Sequence, residues 1–207
     1  MQNVEALQFT TSKKATISLA KTGSSSSVSL EYSYDGIDWK EWDFNGLTIN
    51  SGDILFIRGY NPSGFSSSTI DYYTFVIKGD KVSCSGNIMS LIDYKNLPDI
   101  IPCDYCFYGL FENCNALTSA PELPATKLKS FCYYMMFSGC SSLKTAPELP
   151  AMTLAKWCYR DMFAGCSSLK TAPELPAMTL ADYCYYAMFA DCTSLKSAPK
   201  LPATILA

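Results

Sequence analysis

The chain contains no histidine. That removes the commonest general base and the commonest metal-binding side chain together. A Ser-His-Asp triad is excluded with them. Charge of one sign is also scarce: the net charge is −3 over 207 residues, with no basic run. Nucleic acid and anionic membrane surfaces are therefore poor partners. No stretch approaches the roughly 20 apolar residues needed to cross a bilayer, so no membrane span is expected. The start, MQNVEALQFTTSKKATISLAK, lacks the basic segment and apolar run of a signal peptide. The expectation is a soluble chain that carries no address.

What the chain has is a repeat. CSSLKTAPELPAMTLA occurs at 140–155 and again, unchanged, at 166–181. A step of 26 aligns Cys106, Cys132, Cys158 and Cys184, then Cys114, Cys140, Cys166 and Cys192. It also aligns Phe111, Phe137, Phe163 and Phe189, and Leu117, Leu143, Leu169 and Leu195. Four units follow: 104–129, 130–155, 156–181 and 182–207. A period of 26 falls within the range of leucine-rich repeats. Such a unit cannot bury its apolar side alone, so successive units stack as coils and equal residues form ladders. Within a unit, Cys132, Met136, Phe137 and Cys140 lie roughly on one helical face. This predicts a short helix or helical turn that ends near Gly139 and Gly165. A short strand is expected near Leu143–Ala146, before the two prolines interrupt any ladder.

The motif MFSGCSSLKTAPELPA resembles the BspA-like leucine-rich repeats, whose units carry a similar F-x-G-C-x-x-L core. The resemblance runs from near Ile100 to Ala207. It departs in the Pro-rich APELPA and in a period longer than the family's commonest units. Members of that family are typically surface or secreted binding proteins of gut and oral microbes. Similar repeats behind a β-domain also resemble proteins of phages that infect gut bacteria. The resemblance implies adhesion rather than catalysis.

The first half has another texture. Val28, Leu30, Tyr32 and Tyr34 alternate with polar residues, and Asp35-Gly36 is a hairpin signal. ILFI at 54–57 and DYYTFVIKGD at 71–80 read as further strands. Short strands between turns predict a β-sandwich or jelly-roll-like domain over 1–80. Residues 81–103 are expected to join it to the solenoid and cap the first coil. The fold class is thus mainly β with short helices, a sandwich domain followed by a four-coil solenoid over 104–207.

Ten cysteines invite a chemical reading. Eight obey the period, which fits a buried thiol ladder of small apolar groups. Cys103 and Cys106 form a lone C-x-x-C without a second pair for zinc. Cys84 and Cys103 lie outside the register and would suit a disulfide clasp in an oxidising compartment. Asp35, Asp38, Glu41 and Asp43 cluster near a turn without calcium-loop spacing. No acid–base pair stands out, so no enzyme and no cofactor or metal is expected.

The positions that change between units are the candidate binding face. One column reads Tyr105, Phe131, Trp157, Tyr183; a second Tyr108, Tyr134, Arg160, Tyr186; a third Gly109, Met135, Asp161, Ala187. The candidate contact residues are Tyr108, Tyr134, Trp157, Arg160, Asp161 and Tyr186. Aromatic rings with polar tips suit glycan or protein contact. The expected partners are a glycan or protein on a bacterial surface, or neighbouring virion subunits. The expected location is a virion or the cell exterior. The last unit lacks a polar cap, which predicts self-association or a longer natural chain.

Overall fold

The computed structural model describes residues 5–24 and 27–206. Among these, eleven strands and one short 3-10 turn, Ile88–Leu91, make up the regular structure. The protein is mainly β. The first strands are β1 (Leu7–Thr11), β2 (Lys14–Thr22), β3 (Leu30–Ser33) and β4 (Lys40–Glu41). They are followed by β5 (Leu47–Asn50), β6 (Ile54–Gly59), β7 (Tyr72–Gly79) and β8 (Val82–Ser85). The repeats add only β9 (Leu117–Ser119), β10 (Thr179–Leu180) and β11 (Ile205–Leu206).

Period-two patterning explains the first half. In β2, Ala15, Ile17 and Leu19 are buried between exposed or half-buried polar neighbours. Leu7 and Phe9 do the same in β1, and Tyr73 and Phe75 in β7. The strands form a six-stranded sheet in the order β4-β3-β6-β1-β8-β9 and a three-stranded sheet β5-β2-β7. Neither sheet closes on itself. They face each other across an aromatic core in which the rings of Phe9 and Phe75 lie 5.3 Å apart. Each buried aromatic or aliphatic side chain contributes about 1.5–3 kcal/mol of transfer free energy. Sequence reasoning placed the hairpin after β3 correctly, with Glu31 paired to Glu41. It overlooked β1 and β2, whose alternation it read only for leader features. Strand β8, expected as linker, lies next to β1, and β9 from the first repeat joins it in parallel. The sheet therefore runs past residue 80 into the repeat half.

The expected helical segment of each repeat is a chain of tight turns instead. Every fourth residue there has a left-handed backbone: Phe131, Met135 and Gly139 have φ of 58°, 55° and 74°. Trp157, Asp161 and Gly165 repeat the pattern at 61°, 50° and 75°. A residue with positive φ ends a right-handed helix at once. The amides then divide into two sets. Tyr134, Met136 and Ser138 donate backward within the unit, to the carbonyls of Phe131, Tyr133 and Met135. Phe131, Tyr133, Met135, Phe137 and Gly139 donate instead to the next unit, at Lys156, Cys158, Arg160, Met162 and Ala164. Successive units are thus stitched in register. The strand expected near Leu143–Ala146 shrinks to a single bridge between Ser119 and Thr145. The prolines that follow leave no donors to extend it.

Side chains stack in the same register. Phe75, Phe111, Phe137, Phe163 and Phe189 form one column with neighbouring centroids 5.0, 5.4, 5.7 and 5.7 Å apart. A second column contains Phe65, Phe107, Tyr133, Tyr159 and Tyr185. Both begin in the β-sheet half, with Phe65 and Phe75. The amides of Ser66 and Phe75 meet the carbonyls of Cys106 and Leu110 at 2.9 and 2.7 Å. These carbonyls are the first-unit counterparts of those that the next unit offers to Phe107 and Phe111. The loop and strand around Phe65 and Phe75 cover the first repeat, a role that the sequence assigned to 81–103.

Candidate binding face

Two of the three changing columns, those of Tyr105 and of Gly109, stand at left-handed positions. Tyr105, Phe131, Trp157 and Tyr183 all have φ between 54° and 61°. A bulky residue there carries a backbone cost of roughly 1–2 kcal/mol. Ring stacking compensates: successive centroids in this column lie 4.5, 5.1 and 5.3 Å apart. Three residues further along, Tyr108, Tyr134, Arg160 and Tyr186 form the neighbouring column.

That column opens progressively. Tyr108 is only 8% exposed, wedged between Tyr72 at 5.0 Å and Tyr134 at 5.3 Å. Its hydroxyl donates to Met135 Sδ at 3.8 Å, and burial pushes its pKa up to about 12. It is a packing residue, not a contact residue. Tyr134, Trp157, Arg160 and Asp161 are half-buried, whereas Tyr183 and Tyr186 are exposed. The Arg160 guanidinium lies 4.2 Å from the Trp157 ring, 4.8 Å from Tyr186 and 5.4 Å from Tyr134. Its Nε donates to Asp161 at 3.0 Å. Five of the six predicted candidates therefore come together: Tyr134, Trp157, Asp161 and Tyr186 around Arg160. The Trp157 indole nitrogen is buried without an acceptor among the described residues. The cluster presents π faces, a fixed cation and hydroxyl tips, but no nucleophile beside a base.

The cysteines serve the core. Cys114, Cys140, Cys166 and Cys192 donate to the carbonyls of Phe75, Phe111, Phe137 and Phe163 at 3.0–3.2 Å. Burial pushes the Cys114 and Cys166 thiols up to about 12. Cys106, Cys132, Cys158 and Cys184 form the second buried column. All ten thiols are free, so Cys84 and Cys103 do not form the clasp. Cys103 differs from the rest: a hydrogen bond from the Cys106 thiol lowers its pKa. Asp35 accepts from the amides of Ile37 and Asp38 and from Ser33, which lowers its pKa to about 2. Its oxygens serve the turn. Among the described residues no group of three or more His, Cys, Asp or Glu could hold a metal. No helix there is long and apolar enough to cross a membrane.

Sequence reasoning missed two features. The column Phe107, Tyr133, Tyr159, Tyr185 was legible at the same step of 26. The other had no sequence signal: Arg58 is clamped between Trp39 at 3.7 Å and Tyr94 at 4.0 Å, with Glu31 at 2.8 Å. These residues are far apart in the chain. Of the two tryptophans in the sheet half, Trp42 is buried and Trp39 half-buried. No known protein family, curated protein or solved structure matches this chain.

Proposed function

We propose that residues 104–207 are a leucine-rich-repeat solenoid of the BspA-like type, carried by a β-sandwich-like domain, and that the chain is a non-enzymatic binding module. In this reading it is a phage virion appendage or fibre-type protein that contacts the bacterial surface or neighbouring virion proteins. The observation that carries the reading is the Arg160 cluster. Four changing positions, Tyr134, Trp157, Arg160 and Tyr186, converge on one half-open patch while the stacked interior is repeated almost unchanged. Stacked rings around a held guanidinium are pre-organised, so little side-chain freedom is lost on contact. The same chemistry suits a sugar ring or a protein aromatic. The second reading is a bacterial surface adhesin or carbohydrate-binding module; the exposed Tyr183 and Tyr186 favour it.

The test is binding of the purified chain to a glycan array and to whole bacterial cells. The comparison is with the Tyr134→Ala/Arg160→Ala/Tyr186→Ala variant, with folding checked by circular dichroism. Loss of roughly 2–4 kcal/mol of affinity, the range of interface anchors, is expected. Equal binding by both chains would remove this face from the function.

A further inference from the structure

We infer that Cys103 and Cys106 form a dithiol site at the seam of the two halves, which a low-molecular-weight disulfide oxidises to an internal disulfide. The sequence sets this pair apart. At the place of Cys106 the later units carry Cys132, Cys158 and Cys184, but at the place of Cys103 they carry Lys129, Ala155 and Ala181. Only at the first unit does a second sulfur stand beside the column thiol. Exposure separates the two as well. Cys103 is half-buried, whereas the other nine cysteines are buried. An attacking thiol must be within reach of its partner, and buried structural thiols are inert.

The backbone brings the two sulfurs together. Asp104 and Tyr105 make a tight turn between them, with φ of 57° at Tyr105. A turn holds its ends within about 7 Å, and a disulfide needs Cα atoms about 4.4–6.8 Å apart. The Cys106 thiol donates to the Cys103 sulfur. A loop of the sheet half is shaped around the pair. A Cβ on Gly64 would overlap the Cys103 sulfur and lie 3.9 Å from that of Cys106. The Ser66 amide donates to the Cys106 carbonyl at 2.9 Å, and as a thiol Cys103 donates to the Ser66 carbonyl at 3.6 Å. The roles of the two sulfurs are unequal. The hydrogen bond from Cys106 lowers the pKa of Cys103, while burial pushes that of Cys106 up. Cys103 is thus the attacking thiolate and Cys106 the resolving thiol.

The chemistry is thiol–disulfide exchange in two steps. The Cys103 thiolate attacks one sulfur of the small disulfide, whose other half leaves as a thiolate. Cys103 now carries a mixed disulfide. Cys106 then gives up its proton and attacks the Cys103 sulfur, and the second half leaves in turn. One small disulfide is reduced to two thiols, and the protein pair loses two electrons and two protons. The seam thereby gains a covalent bond across the turn, beside the loop that covers the first repeat.

The experiment treats the reduced 207-residue chain with glutathione disulfide under native conditions at neutral pH. Acid stops the exchange, and peptide mass spectrometry maps the bonds. The parent chain should lose two of its ten thiols, with Cys103 bonded to Cys106. Cys106→Ser should stop at glutathione on Cys103, and Cys103→Ser should keep every thiol. In a short iodoacetamide pulse Cys103 should react at least about tenfold faster than any other cysteine, because buried thiols react only when the structure opens. A parent chain that stays fully reduced overturns the proposal. So does a mixed disulfide that persists in the parent, or a bond between Cys106 and Cys132. If Cys106→Ser does not fold, the map of the parent chain decides alone.

Discussion

The two halves of this molecule solve the same problem with different periods. In the sheet half, side chains alternate in and out every second residue and main-chain hydrogen bonds join strands. In the repeat half, almost nothing is a regular strand, and both hydrogen bonds and rings recur every 26 residues. The first design needs Val, Ile and Leu on one face of each strand. The second needs one residue type to suit its own copy above and below. Flat rings, small thiols and Leu do so, and these fill the columns. The comparison teaches that a stacked coil tolerates strained backbone, provided that the strain is repeated and each unit pins the next.

The strongest way to break the comparison is at its seam. Phe75 belongs to β7 and also heads a ring column. Phe75→Ala should cost about 3–5 kcal/mol. It should also split a single denaturant transition into two, one for each half. A single shifted transition would show that the halves are coupled elsewhere.

Glycine sharpens the contrast within the repeats. Gly139 and Gly165 have φ of 74° and 75°. A Cβ on Gly139 would clash with Asn113 Oδ1, whereas one on Gly165 meets only Gly139 atoms at 3.5 Å. Gly139→Ala should destabilise by about 2 kcal/mol and Gly165→Ala by about 1 kcal/mol, measured by thermal melts. Equal losses would mean that the clash is relieved by side-chain movement. The same place is held by Asn113 and Asp191 at φ of 59° and 57°, so neither change should unfold the chain.

In the sheet half, Arg58→Lys should lose about 1 kcal/mol, because an ammonium cannot stack between Trp39 and Tyr94 as a planar guanidinium does. The indole fluorescence of Trp39 should change with it. Loss equal to that of Arg58→Ala would show that the planar stack carries the whole effect.

The smallest effect concerns acidity. Burial raises the pKa of Glu112 in the folded chain. Between the unfolded value, about 4.3, and that raised value, the folded state holds more protons than the unfolded. Stability therefore falls as pH rises through this window and recovers below it. Glu112→Gln should be more stable than the parent at neutral pH, and the difference should vanish below about pH 4. A difference that persists at low pH would rule out ionisation as its cause.

Much of this architecture was legible. The step of 26 located both thiol columns and the Phe111 column that the structure stacks, because identical neighbours impose identical demands; the Phe107 column obeys the same step and was overlooked. The strands around Ile57 and Phe75 were visible as apolar runs between turns. The helical expectation failed because Cys132, Met136 and Cys140 also recur at a spacing of four in a chain of turns. The left-handed residues that distinguish the two include Phe131 and Met135, types that rarely adopt that backbone. The Arg160 cluster was half legible. Its members were picked out by variation between units, yet whether Tyr108 or Tyr186 faced water depended on what covers each end.

The unchanged sixteen-residue stretch in the second and third units has an evolutionary reading. Every interior coil has the same upper and lower surface, so a whole unit is a legal insertion or deletion. Misalignment between the repeats during copying of the gene would lengthen or shorten the array without leaving a hole in it. Each event would move the far end by about one ring spacing, 5.7 Å between Phe137 and Phe163. The repeat array can then change length in fixed increments, while every interior coil keeps the same neighbours.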